Sequence, residues 1–146
     1  MNTRPGIVAG KSETDGKVLI ITDRQDEALY KDLVFAEEAI EIYSFNEAPE
    51  AIKDCRVDLI LLDCNINVDE GLQVLKNNKT SCPSIPNIFI TEARREGVVL
   101  SAFRAGARDF FRKPVNLPEL QETVKGILSF KKSDQEKRAP FLKNFS

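Results

Sequence analysis

Asp58-Leu59-Ile60-Leu61-Leu62-Asp63 is the stretch on which the fold turns. Four apolar residues run without a break and end in an acid. An uninterrupted apolar run suits a strand buried on both faces, as in a parallel sheet. In such sheets ligand chemistry gathers at the carboxyl ends of the strands. Asp63 is therefore expected at the rim of a sheet, either as a turn residue or as a functional group.

Upstream, K-V-L-I-I-T-D over 17–23 has the same design: Val18 to Ile21 is apolar and Asp23 closes it. Between the two runs, Ala28, Leu29, Leu33 and Ala36 recur at helical spacing and predict a helix over 25–37. Ile40 and Ile42 alternate with Glu41 and Tyr43, which predicts a strand over 39–45 at a sheet edge. Asn46 is expected to cap a short helix through Lys53, with Pro49 in its first turn.

Downstream, C-N-I-N-V-D-E-G leads into a helix over 70–76 with Leu72 and Leu75 inward, then a Ser-, Asn- and Pro-rich loop over 77–86. A fourth strand follows over 87–91, and a helix over 94–104 that Gly106 ends in a left-handed cap. A short fifth strand over 107–112 runs into Lys113-Pro114. Asn116 and Glu119 then form an N-cap and its N3 acid, with Val115 and Leu120 as a hydrophobic staple. Leu120, Val124, Ile127 and Leu128 continue that helix.

Five strands alternating with five helices predict an α/β fold: a doubly wound parallel sheet with right-handed crossovers and strand order 2-1-3-4-5. Strands one and three are then neighbours, and Asp23 meets Asp63 at the topological switch point. Residues 1–16, with Pro5, Gly6, Gly10 and Gly16, read as a flexible leader; 17–130 as the folded domain; and 131–146, which opens K-K-S-D-Q-E-K-R, as a linker or tail. Gly10-Lys11-Ser12 matches the end of a phosphate-binding loop, but Pro5 stands where that pattern needs glycine and no buried strand precedes it.

Composition narrows the chemistry. A chain of 146 residues with 42% apolar residues suits one domain with a sizeable core. The 23 acids and 21 bases leave a formal charge of -2, without the basic face that direct nucleic-acid binding requires. The absence of histidine removes His-based nucleophile, general-base and zinc schemes. Cys55, Cys64 and Cys82 are an odd count without C-x-x-C spacing, which reads as reduced thiols in a cytoplasmic protein. No apolar stretch approaches the ~20 residues of a membrane span, and the N-terminus lacks a signal-peptide core.

Asp23, Asp63, Thr91 and Lys113 all fall at carboxyl ends of strands. Two neighbouring carboxylates disfavour double ionisation unless a cation sits between them, and Mg²⁺ suits an all-oxygen pair. Such a cation would draw in a phosphate-like group, to which Thr91 offers a hydroxyl and Lys113 a positive charge. Each residue alone is uninformative; four at one rim are specific.

With these residues placed, the sequence over about 17–130 resembles the receiver domain of two-component response regulators. The resemblance rests on V-L-I-I-T-D ending at Asp23, D-L-I-L-L-D ending at Asp63, Glu70-Gly71, I-F-I-T ending at Thr91, and F-R-A-G-A-R-D-F-F-R-K-P through Lys113-Pro114. It implies that Asp63 accepts a phosphoryl group from a sensor histidine kinase. Asp23, Asp63 and the backbone carbonyl of Asn65 would ligate Mg²⁺, and Thr91 and Lys113 would bind the phosphoryl oxygens. Phe110 would be the aromatic that changes rotamer, and the Lys113-Pro114 bond would be cis. The resemblance also implies a switch rather than a conventional enzyme. Its output face over 94–130 would engage an effector domain, a downstream protein or a second copy.

Three departures bear on reactivity. Thr22 stands where the family usually has another acid, which removes one carboxylate from the metal site. Glu92 follows the switch threonine where a small residue is usual. It would crowd the site, point to solvent, or stand in for the lost acid. Asn67 replaces a common proline and Glu70 the usual aspartate before Gly71. Cys64, beside the acceptor, reads as a half-buried inert thiol. Two functions stay open: a working phosphoacceptor switch, and a receiver kept as a phosphorylation-independent interaction module. A flavin-binding carrier of the same topology is disfavoured by the acidic Asp23-Arg24-Gln25-Asp26.

Overall fold

The computed structural model describes residues 17–23, Tyr30 and 39–143, with side chains described as far as Phe130. The leader over 1–16 and the helix expected over 25–37 lie outside these residues, Tyr30 excepted. The five strands are β1 (Lys17–Thr22), β2 (Ala39–Ser44), β3 (Leu59–Asn65), β4 (Asn87–Thr91) and β5 (Asp109–Arg112). They form one sheet in the order β2-β1-β3-β4-β5, with every pairing parallel. This is the doubly wound order that the alternating pattern predicts. β2 is indeed an edge strand.

β3 lies at the centre because its sequence can be nowhere else. Leu59, Ile60, Leu61 and Leu62 are all 0% exposed. Burying each contributes up to about 1.5–3 kcal/mol against an extended chain. Alternate side chains enter two cores. On one face Ile60, Leu62 and Cys64 pack with Leu19, Ile21, Leu75, Phe89 and Ala102. On the other, Leu59 and Leu61 pack with Val18, Ile20, Tyr30, Ile88, Phe111, Leu120 and Val124.

Helices α1 (Ala48–Ala51), α2 (Val68–Ser81) and α3 (Val98–Arg104) serve the first face, and α4 (Leu117–Lys143) the second. α2 packs closest. A Cβ on Gly71 would stand 2.6 Å from Cys64 Cβ and 3.3 Å from Phe89 Cζ, so only glycine fits there. Asn116 caps α4 as expected, its Oδ1 accepting from Glu119 N at 3.0 Å.

Several boundaries differ from the sequence expectation, each for a local reason. α2 continues through Ser81 instead of ending near Lys76. Buried Asn78 donates to Asn87 Oδ1 at 3.0 Å, and Lys79 Nζ donates to the carbonyls of Pro83 and Ile85 at 2.7 and 3.0 Å. Residues that read as loop formers therefore close a helix end. Asn46 is exposed and caps nothing; a 3-10 turn over Phe45–Glu47 precedes α1, and Glu47 Oε1 accepts from Ser44 N at 2.9 Å. α3 begins at Val98, four residues late, because Gly97 at φ 82 breaks the helical path. α4 stays helical to Lys143, past the boundary at residue 130. The Lys, Gln, Glu and Arg residues of that segment are good helix formers.

The cysteine expectation is corrected. Cys55 and Cys82 form a disulfide with Cα atoms 5.6 Å apart, and Cys64 alone is free. In a β-α unit the helix runs back over its strand, so the end of α2 lies over the entry to β3. Spacing of 27 residues in sequence hides that closeness. The inference from reduced thiols to compartment falls with it.

Candidate functional site

The rim is built by adjacency in the sheet. Thr22 is in register with Asp63, and Asp23 N donates to Asp63 O at 3.3 Å, so the two strand ends are tied together. β3 runs two residues beyond Asp63, with a register shift between Asp63 and Asn65 before Asn65 pairs with Thr91. Asn65 has φ 51, a left-handed conformation that Asn tolerates well. The kink turns the Asn65 side chain across the site.

Asp63 is 1% exposed. Its Oδ1 accepts from Asn65 N at 3.2 Å. Its Oδ2 accepts from Lys113 Nζ at 2.7 Å and from the hydroxyl of buried Tyr30. Asp23 Oδ1 accepts from Asn65 Nδ2 at 2.6 Å, and its Oδ2 from Asn67 Nδ2 at 2.5 Å. Lys113 Nζ also donates to Asn65 Oδ1 at 2.8 Å. Asn65 thus bridges Asp23 to Lys113, and Lys113 supplies the cation that a buried carboxylate requires.

Thr91 is fully buried, and its hydroxyl donates to the Asn65 carbonyl. That carbonyl also accepts from Glu92 N at 3.0 Å. Lys113 is brought in from the next strand, its N donating to Thr91 O at 2.8 Å, and the Lys113-Pro114 bond is cis. Phe110 lies beside these residues but turns to the other face, stacked on Phe89 at 6.0 Å with Arg112 over its ring at 5.4 Å. Glu92 is half-buried. Thr22 is buried at the register position next to Asp63.

Asp23, Asp63, Asn65, Thr91 and Lys113 therefore converge. Tyr30 joins them and is not singled out in the sequence, while Asn67 enters the sequence reading only as the replacement of a common proline. Tyr30 follows Asp23 by seven residues, two helical turns, and that spacing was the available signal.

Cys64 shows the opposite character one residue away. It is fully, not half, buried, and burial pushes its thiol up to about 12, partly offset by a hydrogen bond with Thr91, with Asp63 and Asp23 adding to the rise. A thiol so placed is no nucleophile near neutral pH.

The fold and site define a class: a doubly wound domain with an acidic pair, a threonine and a lysine on successive strand ends. The family model for the response regulator receiver domain matches residues 18–125, and the chain belongs to that family. Among curated relatives, the transcriptional regulatory protein ZraR of Salmonella typhimurium is 31% identical over 87 residues, 60% of this chain and 20% of ZraR. The swarming motility regulation protein RssB of Serratia marcescens is 32% identical over 97 residues, 61% of this chain and 44% of RssB. The chain thus spans less than half the length of these relatives. A CheY-like receiver domain protein from Methanospirillum hungatei superposes with TM-score 0.72 at 23% identity, over 83% of this chain and 99% of that one. A two-component response regulator from Clostridium difficile gives TM-score 0.66 at 27% identity, over 79% and 97%. The fold is thus a receiver fold. Among the described residues, no helix is long and apolar enough to cross a membrane.

Proposed function

We propose that this receiver is a Mg²⁺-dependent phosphoacceptor switch in which Asp63 takes a phosphoryl group from a sensor histidine kinase. The observation that carries this reading is the convergence of Lys113 and Asn65 on a buried Asp63 that is tied to Asp23. The described residues hold no cluster of three or more His, Cys, Asp or Glu side chains suited to a metal. The oxygen donors of Asp23, Asp63 and the Asn65 carbonyl still fit Mg²⁺ in kind, with waters completing its shell. Bound there, Mg²⁺ would neutralise charge on the incoming group.

The chain's own residues supply the rest. Asn65 and Asn67 release the Asp23 oxygens they now hold. Thr91 exchanges the Asn65 carbonyl for a phosphoryl oxygen, and Lys113 follows the added charge. Phosphorylation brings about -1.5 to -2 charges and strong acceptor oxygens. Charge-assisted hydrogen bonds of about 1.5–3 kcal/mol each suffice to bias a two-state rim. The output passes to an effector domain, a downstream protein or a second copy through 94–130, where Leu100 and Phe103 are exposed. The switch works in the cytoplasm, where a kinase meets ATP, and transfers phosphate to itself rather than turning over a substrate.

One observation favours a second reading, a phosphorylation-independent interaction module. Every carboxylate oxygen of Asp23 and Asp63 already has a protein donor. Acetyl phosphate with Mg²⁺ separates the two. The switch predicts a phosphoryl mass increment on the wild type and none on Asp63→Ala; an unlabelled wild type selects the module.

A further inference from the structure

Tyr30 stands out among the residues that no function has absorbed. It is 5% exposed, in the core between β1, β3 and α4, and its hydroxyl donates to Asp63 Oδ2. That oxygen also carries Lys113 Nζ at 2.7 Å, while Oδ1 is held by Asn65 N. Lys113 is a cation that charge neutralisation requires. The phenol is not: an aliphatic side chain would fill the same apolar volume without a donor.

We propose that Tyr30 is a further residue of the phosphoryl-accepting site, a hydroxyl that restrains Asp63 until a phosphodonor displaces it. The inference rests on the phosphoacceptor reading above. Transfer requires a carboxylate oxygen to give an electron pair to phosphorus. The new O–P bond forms as the donor's bond to phosphorus breaks, and the leaving group departs with that bond's electron pair. A phenol hydrogen-bonded to the attacking carboxylate withdraws that pair and occupies its direction of approach. The phenol keeps its proton throughout; only the hydrogen bond is lost. A hydrogen bond to a charged group is among the stronger ones in a protein, and its loss before attack slows transfer appreciably.

The test compares wild type, Tyr30→Phe and Asp63→Ala with acetyl phosphate and Mg²⁺, read as the rate of intact-mass increment. Tyr30→Phe is expected to label about ten-fold faster than wild type. Equal or slower labelling of Tyr30→Phe overturns the restraint while leaving the phosphoacceptor reading intact. No labelling of either overturns both.

A spectroscopic arm does not depend on the fold of Tyr30→Phe. The chain has two tyrosines and no tryptophan, so Tyr43→Phe leaves Tyr30 as its sole strong emitter. A carboxylate hydrogen-bonded to a phenol quenches its emission. Beryllofluoride with Mg²⁺ is expected to raise the Tyr30 emission, and Asp63→Ala in the same background to raise it without any addition. An emission unchanged by Asp63→Ala refutes the contact.

Discussion

Asp63 and Cys64 are consecutive residues of one strand, and almost nothing about them is alike. Asp63 points to the face where polar donors from four residues, Tyr30, Asn65, Asn67 and Lys113, meet it or its neighbour Asp23. Cys64 points to the face where Gly71 and Phe89 close over it. The pleat of a strand sends successive side chains to opposite faces, so one step in sequence moves from a wired polar rim to dry packing. Side-chain type alone would not single out Asp63 for the proposed transfer, since a thiol is ordinarily the better nucleophile. The face decides it. The rim surrounds its group with displaceable donors, and the core raises its thiol out of the titrating range.

Substitution should break this contrast most sharply at Asp63. Asp63→Ala is expected to abolish labelling by acetyl phosphate, whereas Cys64→Ala leaves the rate within about two-fold; mass spectrometry reads both. On the core face the large effect is on stability. Gly71→Ala gains up to about 1 kcal/mol of helix propensity. It also sets a methyl group 2.6 Å from Cys64 Cβ, a backbone-anchored atom that cannot rotate away. Overpacking of this kind costs about 1–3 kcal/mol, so the clash wins. A lower urea midpoint at unchanged slope is the expected result, and an unchanged midpoint would show that α2 shifts freely over β3.

The same two faces mark what could be read from sequence. The strand order, the central place of β3 and the rim positions of Asp23, Asp63, Thr91 and Lys113 followed from apolar runs and from acids at their ends, both of which are local signals. What escaped depends on contacts between distant segments. Tyr30 read as one more residue of a helix, because its hydroxyl has meaning only once β3 lies beside it. Asn78 and Lys79 read as loop because their partners Asn87, Pro83 and Ile85 come later in the chain. Cys55 and Cys82 read as reduced because only the β3-α2 turn brings them together. Asn67 read only as the replacement of a common proline, and it holds Asp23.

Glu92 tests how far the rim tolerates added charge. Its backbone N is fixed on the Asn65 carbonyl at 3.0 Å, so the side chain starts from beside the acceptor. Glu92→Ala is expected to raise the labelling rate about two- to five-fold, the scale of one partly screened like charge near an approaching phosphate. The gain should shrink as salt rises, because screening acts on charge and not on bulk. A gain independent of salt would assign the obstruction to the size of Glu92, and no gain would remove it from the site's control of rate.

The smallest expected signal lies on the core face and is a matter of protons. With its thiol raised to about 12 from an ordinary 9.0, Cys64 has about a thousand-fold less thiolate near pH 8 than an open cysteine. Native protein with its disulfide intact should therefore leave an aromatic disulfide reagent almost unconsumed at pH 8, and urea should release one thiol per chain. The sign of the linkage follows. The native state holds this proton more tightly than the unfolded state, so its contribution to stability is whole below about pH 9 and is lost as pH rises towards 12. Cys64→Ala should flatten the fall of the urea midpoint over that window. A fast native reaction at pH 8 would mean that α2 opens from β3 often enough to wet Cys64, and the two faces would then differ less than their packing indicates.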